Sequence, residues 1–218
     1  DWLVIHAVKP AVVSSRYLSL ALYYSLSVTY NKLVRVQTIT ALNQLNRDFY
    51  QQISRDFSES RNFSWQGWHK LLKFLPRKKQ LRILDLGCGN GRLVEFLGKE
   101  LKQNFSYLGL DNSTALLKIA QQQFSQQKFI FCDLVENYLQ EQETFNLGKE
   151  KFDLIVAFGL THHLPSQRLR QKFLQNLKKH LAPNGLIVLT VWQFAQEKQR
   201  FQKNILNVQK ISKNRKIK

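Results

Sequence analysis

Residues 81–91 read LRILDLGCGNG. Leu81 to Leu86 is a short, mostly apolar run that stops at Gly87, which predicts a buried strand entering a glycine turn. Glycines at 87, 89 and 91 let backbone approach a ligand closely, and a helix starting there turns its N-terminal N–H groups to the same spot. In a dinucleotide site that helix end holds a pyrophosphate. Here the pattern is Gly-x-Gly-x-Gly, without the sixth-position glycine, and Asp85 sits inside the strand end. A carboxylate there disfavours phosphate and suits a ligand with an ammonium group. The turn alone does not single out a cofactor.

Working downstream, strands alternate with helices. Residues 91–103 read as a helix, Phe105–Leu110 as a second strand, and Ser113 as the N-cap of a helix reaching about Phe124. Lys128–Cys132 and Phe152–Phe158 read as the third and fourth strands, with the polar stretch 136–150 a loop between them. Residues 166–181 form a basic helix closed by Pro183-Asn184-Gly185, and Leu186–Trp192 is a fifth strand. The alternation predicts βαβ units: a doubly wound, Rossmann-like α/β domain with a parallel sheet in order 3-2-1-4-5. Three acids then fall at three successive strand ends: Asp85, Asp111 and Asp133. That crevice is where open α/β sheets bind ligands, and Asp111 can accept from both hydroxyls of a ribose while Asp133 reaches an adenine amino group. Singly, each acid could equally be a helix cap or a solvated loop residue.

Upstream, Leu42, Leu45, Phe49, Ile53 and Phe57 recur at three and four, which predicts a helix with one apolar stripe; Trp65 to Leu75 is a second helix stopped by Pro76. Residues 1–40 read as an extension without an assigned role, and 41–218 as the domain, with its core at 80–192 and a basic tail at 198–218. The uncharged run Tyr17–Tyr30 has 14 residues, short of the roughly 20 a membrane span needs, and has no convincing cleavage site of a signal peptide. Two cysteines 44 positions apart make neither a disulfide framework nor a metal motif, so no metal and a reduced, cytoplasmic chain are expected. There is no methionine, so Asp1 is not read as a translational start.

The 33 Lys+Arg against 15 Asp+Glu give +18, which predicts attraction to a polyanion, nucleic acid or an acidic membrane. Residues 1–80 carry 12 basic and 4 acidic side chains, 81–165 carry 8 and 10, and 166–218 carry 13 and 1. The flanks are expected to converge on the crevice, with Arg61, Arg77, Lys78, Lys79 and the tail after Lys198 around it. The tail could equally be a solvated end.

Residues 80–192 resemble the class I S-adenosylmethionine-dependent methyltransferases: LDLGCGNG looks like their first motif, GLDNS the ribose-binding loop, FCDL the adenine-side acid and FDLIVAFGLTHHL the fourth motif. The resemblance implies S-adenosyl-L-methionine as cofactor, bound by Asp85, Gly87, Cys88, Gly89, Asn90, Gly91, Asp111, Asn112, Asp133, Leu134 and Phe158. More narrowly, FSESRNFSW, THHL and VLTVWQFAQEKQRF are similar to the tRNA wobble carboxymethyluridine methyltransferases, relatives of the methyltransferase domain of an AlkB-type protein. This implies tRNA as substrate, esterification of a carboxymethyl group on a wobble uridine, a small activating partner subunit as a further candidate, and catalytic roles for Arg61 and His163. It also implies a helix and two strands after the fifth, for which the chain has no room before Lys218, so those strands are expected to be missing.

Other readings stay open: methylation of a small metabolite, or a non-catalytic cofactor- or RNA-binding module. Arg61 can clamp a carboxylate or simply be solvated; Trp65 and Trp68, spaced three apart, can stack a base or fill the core. Of His162 and His163, one is expected to pack under the crevice and the other to face substrate. Cys88 and Cys132 read as packing residues rather than nucleophiles.

Overall fold

The computed structural model describes the backbone of residues 2–7 and, with their side chains, residues 34–60, 64–101 and 104–191. Arg61, the run Tyr17–Tyr30, Trp192 and the basic tail lie outside the described residues. In chain order the elements are β1 (Trp2–Ala7), α1 (Val36–Glu59), α2 (Gln66–Leu71), β2 (Gln80–Leu86), α3 (Arg92–Glu100), β3 (Asn104–Asp111), α4 (Thr114–Gln123), β4 (Lys128–Phe131), α5 (Leu134–Leu139), β5 (Phe152–Ala157), α6 (Gln167–His180) and β6 (Leu181–Val191). Short 3₁₀ turns follow α2, at Leu72–Phe74, and β5, at Thr161–His163.

The sheet runs β1-β6-β5-β2-β3-β4. Its five strands from β2 onward are parallel, in the 3-2-1-4-5 order that the alternation implies. β1 lies antiparallel along β6, Trp2 opposite Val191 and Ala7 opposite Leu186. Nothing in the sequence pattern assigns that strand. β6 also starts earlier than expected: Leu181 already pairs with Phe152, and Pro183-Asn184-Gly185 becomes an irregularity inside the strand, with Asn184 at φ 59°. The stretch 136–150 is not all loop, because Asp133 caps the short helix α5, its carboxylate accepting from Val135 N and Glu136 N.

Apolar strands buried on both faces demand helices on both sides. One core layer holds Leu84, Leu86, Leu110, Ile155, Phe145, Phe173 and Leu177; the other holds Leu81, Ile83, Leu93, Phe96, Leu97, Leu154 and Trp68. β5 is buried along its whole length, as expected of the sheet centre.

The stripe on α1 is a correction. Leu45 is 66% and Phe49 51% exposed, and Leu42 is exposed too, whereas Ile39 and Asn43 are buried. The first part of the helix is turned by one position from the apolar reading, with Asn43, Asn46 and Tyr50 at the strand ends, while Phe57, the last residue of the stripe, does line the crevice. Burying polar side chains is stable only where partners await them, and the partners sit at the crevice.

The basic turn is a second correction. Arg77, Lys78 and Lys79 lie just before β2, at the opposite end of the strands from the glycine turn. Lys78 Nζ donates to Asp153 Oδ1 at 2.6 Å and Arg82 N to Oδ2 at 2.9 Å, closing the start of β2 against that of β5. Strand direction alone puts residues ahead of a parallel strand away from the ligand crevice, so these three do not surround it.

Candidate active site at the strand C-termini

The three acids do meet. Asp85, Asp111, Asp133, the Gly87–Asn90 turn, Asn112, Leu134, Phe158 and His163 line one crevice, closed on its outer side by α1. Gly91 stands just behind it as the N-cap of α3 at φ 79°; a Cβ there would come within 3.0 Å of the Phe124 ring. Gly87 is at φ 75°, and a Cβ would press on Leu160 at 3.3 Å, so both glycines serve the turn itself.

Asp85 is 3% exposed and accepts from Tyr107 Oη at 2.6 Å. Burial pushes its carboxyl up to about 7; the Tyr107 bond and the nearby Arg92 pull the other way, and Asp111 adds to the rise. Asp111 accepts from Gly89 N and Ser113 N, both at 2.8 Å, so it fastens the glycine turn to the next strand end. Its carboxyl too is raised by burial, opposed by those backbone bonds. Asp133 does structural work first: besides capping α5 it accepts from Asn43 Nδ2 at 3.2 and 3.0 Å, with Arg47 Nη1 at 3.6 Å and Asn112 Nδ2 at 3.5 Å. An adenine amino group would have to share Oδ2 with these donors.

His163 stands in the 3₁₀ turn after β5. That turn is held from two sides: Thr161 Oγ1 donates to Thr190 O at 2.8 Å, and Arg170 Nη1 donates to Leu164 O at 2.6 Å. The ring is half-buried and engaged at both nitrogens, Nδ1 by Asn46 Nδ2 at 2.7 Å and Nε2 by Tyr50 Oη at 3.1 Å. Burial, then His162, pushes it down to about 4, so it is uncharged at neutral pH. His162 is exposed, its ring centroid 4.0 Å from that of His163. Neither histidine packs under the crevice as expected: His162 is exposed and His163 lines the crevice wall. Trp68 is core, packed on Phe96 and Phe158 with the Arg92 guanidinium 5.4 Å from its ring centroid, yet it also reaches the crevice.

Both thiols are raised by burial, Cys132 to about 11, so neither is ionised at neutral pH. Among the described residues no group of three or more His, Cys, Asp or Glu side chains is placed to hold a metal. No described helix is long and apolar enough to cross a membrane.

Sequence reading missed Asn43, Asn46 and Tyr50 as crevice residues, and Tyr107 as the partner of Asp85. The signal for the α1 residues was present: polar side chains at 43, 46 and 50 repeat at helical spacing one position from the apolar stripe. Tyr107 follows from the parallel register, which sets it two residues below Gly109, the partner of Asp85.

The donor set fits the cofactor that the motifs imply. Asp85 is a buried acid suited to a cation, and the buried Trp68 Nε1 has no hydrogen-bond partner among the described residues, an orphan donor costing about 1–3 kcal/mol until an acceptor such as a carboxylate meets it. An amino-acid end supplies both charges.

Residues 84–187 match a methyltransferase domain family. The chain is 31% identical over 148 residues to a tRNA (carboxymethyluridine(34)-5-O)-methyltransferase of Arabidopsis thaliana, which covers 68% of this chain and 32% of that protein. It is 32% identical over 114 residues to a carboxy-S-adenosyl-L-methionine synthase of Trichodesmium erythraeum (strain IMS101), covering 50% and 41%. It therefore spans a third to two fifths of the length of these relatives. Among solved structures it resembles a TehB-like SAM-dependent methyltransferase from Corynebacterium glutamicum, with TM-score 0.51, 24% identity, and 73% and 83% of the two chains covered. A Haloferax volcanii chain solved in complex with the Trm112 methyltransferase activator shares the fold, with TM-score 0.54, 15% identity, and 72% and 74% covered. Domain match, strand order and the acid-lined crevice agree: the chain carries a domain of the class I S-adenosylmethionine-dependent methyltransferases, with S-adenosylmethionine as its cofactor.

Proposed function

We propose that the chain methylates the carboxylate of a wobble 5-carboxymethyluridine in tRNA. The observation that carries this is the uncharged His163 on the crevice wall, hydrogen-bonded at both ring nitrogens. A hydroxyl or amine acceptor needs a base to take its proton. With its nitrogens engaged and its basicity suppressed, His163 is poorly made for that task. A carboxylate is already ionised near neutral pH and needs no base. The similarity to the Arabidopsis enzyme supports the same choice.

The cofactor supplies an electrophilic methyl on a sulfonium. In this reading Asp85 holds its ammonium group, Asp111 its ribose hydroxyls and Asp133 with Asn112 its adenine edge, while Gly87 and Gly89 allow close approach and Phe158 and Leu134 wall it. His163 faces the acceptor, and Arg61 clamps the acceptor's carboxylate or a phosphate. The protein's task is to hold two reactants in line and keep water out. RNA binding through the basic flanks, a cytoplasmic setting and a small activating subunit belong to the same proposal; the Haloferax complex makes the last worth testing.

Methylation of a small acid is the second reading, favoured by the synthase relative and by a basic turn that lies away from the crevice. Tritium transfer from labelled S-adenosylmethionine, offered bulk tRNA and a small-molecule extract side by side, separates the two. Label is expected in tRNA. Label confined to the extract supports the second reading, and cofactor binding without transfer supports a binding module.

A further inference from the structure

Three short segments, 77–82, 149–153 and 178–184, hold eight Lys and Arg against two acids, Glu150 and Asp153. They lead into β2, β5 and β6, which lie side by side in the sheet. Ile83 pairs with Leu154 and Phe152 with Leu181, so at about 4.8 Å per strand the three starts fall within roughly 10 Å of one another. Asp153 is buried and shared by Lys78 and Arg82, Lys179 is paired with Glu143, and Lys151 Nζ donates to the Lys179 carbonyl. Arg77, Lys79, Lys149 and Lys178 are exposed and make no ion pair among the described residues. Outside the described residues the sequence holds two acidic side chains, Asp1 and Glu197, too few to cancel this excess. The crevice is the reverse, its lining carrying Asp85, Asp111 and Asp133 against Arg92.

We infer that this strand-start end docks the phosphate backbone of RNA, through Arg77, Lys79, Lys149 and Lys178, while the crevice at the other end takes the acceptor group. Exposed cations without partners suit a row of phosphates, which position an RNA without reading its sequence. An acidic bilayer is a poorer match, because no large apolar side chain is exposed in the three segments. The seven residues of β2, at about 3.3 Å each, set the two ends roughly 23 Å apart, short enough for one folded RNA to bridge. The choice of RNA rests on the tRNA reading and deepens it with a docking surface away from the chemistry.

The test compares two double variants of the full chain. Lys79→Gln with Lys178→Gln removes two unpaired cations from the strand starts; Lys118→Gln with Arg168→Gln removes two exposed cations from the first halves of α4 and α6. Filter binding of bulk tRNA is read across a salt series, beside calorimetry with S-adenosylhomocysteine and tritium transfer to tRNA. The first pair should weaken tRNA binding about 10- to 100-fold at 0.1 M salt and flatten the log–log salt slope by about 1.5, as two lost phosphate contacts require. KM for tRNA should rise while kcat and S-adenosylhomocysteine affinity hold, and the second pair should change little. Unchanged tRNA affinity in the first pair, or an equal loss in the second, would overturn the inference, since charge spread over the whole surface would then suffice. Binding to phosphatidylserine vesicles that the first pair abolishes, with tRNA binding intact, would overturn it in favour of a membrane. Wild-type protein that binds tRNA in this pattern yet transfers no label to it keeps the surface and fails the substrate reading.

Discussion

Asp85→Asn should make the protein more stable and worse at its task. Raising a carboxyl from 3.8 to about 7 means that folding opposes ionisation by a factor above a thousand, about 4 kcal/mol. The folded pKa lies above the unfolded one, so the associated stability is complete below about pH 4 and is lost as pH rises through 7. Asparagine is nearly isosteric, keeps an acceptor for Tyr107 Oη and cannot ionise. At pH 8 the cofactor-free variant should therefore gain up to about 4 kcal/mol, or roughly 10 °C in melting temperature, and the gain should shrink to about 1.7 kcal/mol at pH 5 and vanish below about pH 4. Cofactor affinity should move oppositely. The wild type needs Asp85 ionised and the ligand's α-amino group, with an ordinary pKa of about 7.8, protonated. The two fractions multiply to a maximum near pH 7.4 and about a sixfold loss at pH 6. In Asp85→Asn affinity should drop throughout and the acidic limb vanish. Calorimetry with S-adenosylhomocysteine from pH 6 to 9, beside thermal melts without ligand, reads both. A less stable Asp85→Asn at pH 8, or wild-type affinity in that variant, would refute the reasoning.

Asp111→Ala removes the proposed ribose acceptor and two backbone bonds at 2.8 Å, so it should weaken cofactor binding by about 1.5–3 kcal/mol and lower the melting temperature as well; unchanged affinity would remove Asp111 from the site. Asp153 is held below the usual carboxylate range: its burial raises it, but the Lys78 ion pair, the bond from Arg82 N and the charges of Lys78 and Arg82 outweigh that. Its stabilisation should therefore be present at neutral pH and disappear as the solution is acidified through the folded value, so Asp153→Asn should melt earlier at pH 7, and the gap to the wild type should narrow as the pH falls below the usual carboxylate range. Cys88, buried, and Cys132, half-buried, both un-ionised, should react with iodoacetamide at pH 8 far more slowly than a free thiol, and rapid labelling of the native protein would contradict their placement.

The parallel core was legible because its signals are local: apolar runs, glycine turns and N-caps such as Ser113, whose Oγ accepts from Leu116 N at 3.3 Å, recur in the order a βαβ sheet demands. The three acids were legible for the same reason, since a strand end fixes where its last residue points. The α1 face was misread because its periodicity is right and its phase is not. Leu42, Leu45 and Phe49 make a good stripe, yet Asp133 and His163, some 90 and 117 positions away, capture Asn43 and Asn46 and rotate the helix. Charge was misread in a related way, because counting Arg77-Lys78-Lys79 beside the glycine turn in sequence ignores that a strand of seven residues separates them in space. Pairing of β1 with β6 joins the two ends of the described chain, a contact that no local pattern records.

The most direct test of the central claim is the chemistry of the transferred methyl group. Bulk tRNA from cells that lack this activity should be incubated with the protein and labelled S-adenosylmethionine, digested to nucleosides and analysed by mass spectrometry before and after mild alkali. The account predicts a modified uridine heavier by one methyl ester, which alkali returns to the free acid as labelled methanol is released. Label that resists alkali, on a ring nitrogen, a ribose or another base, would contradict the proposal that the crevice serves a carboxylate.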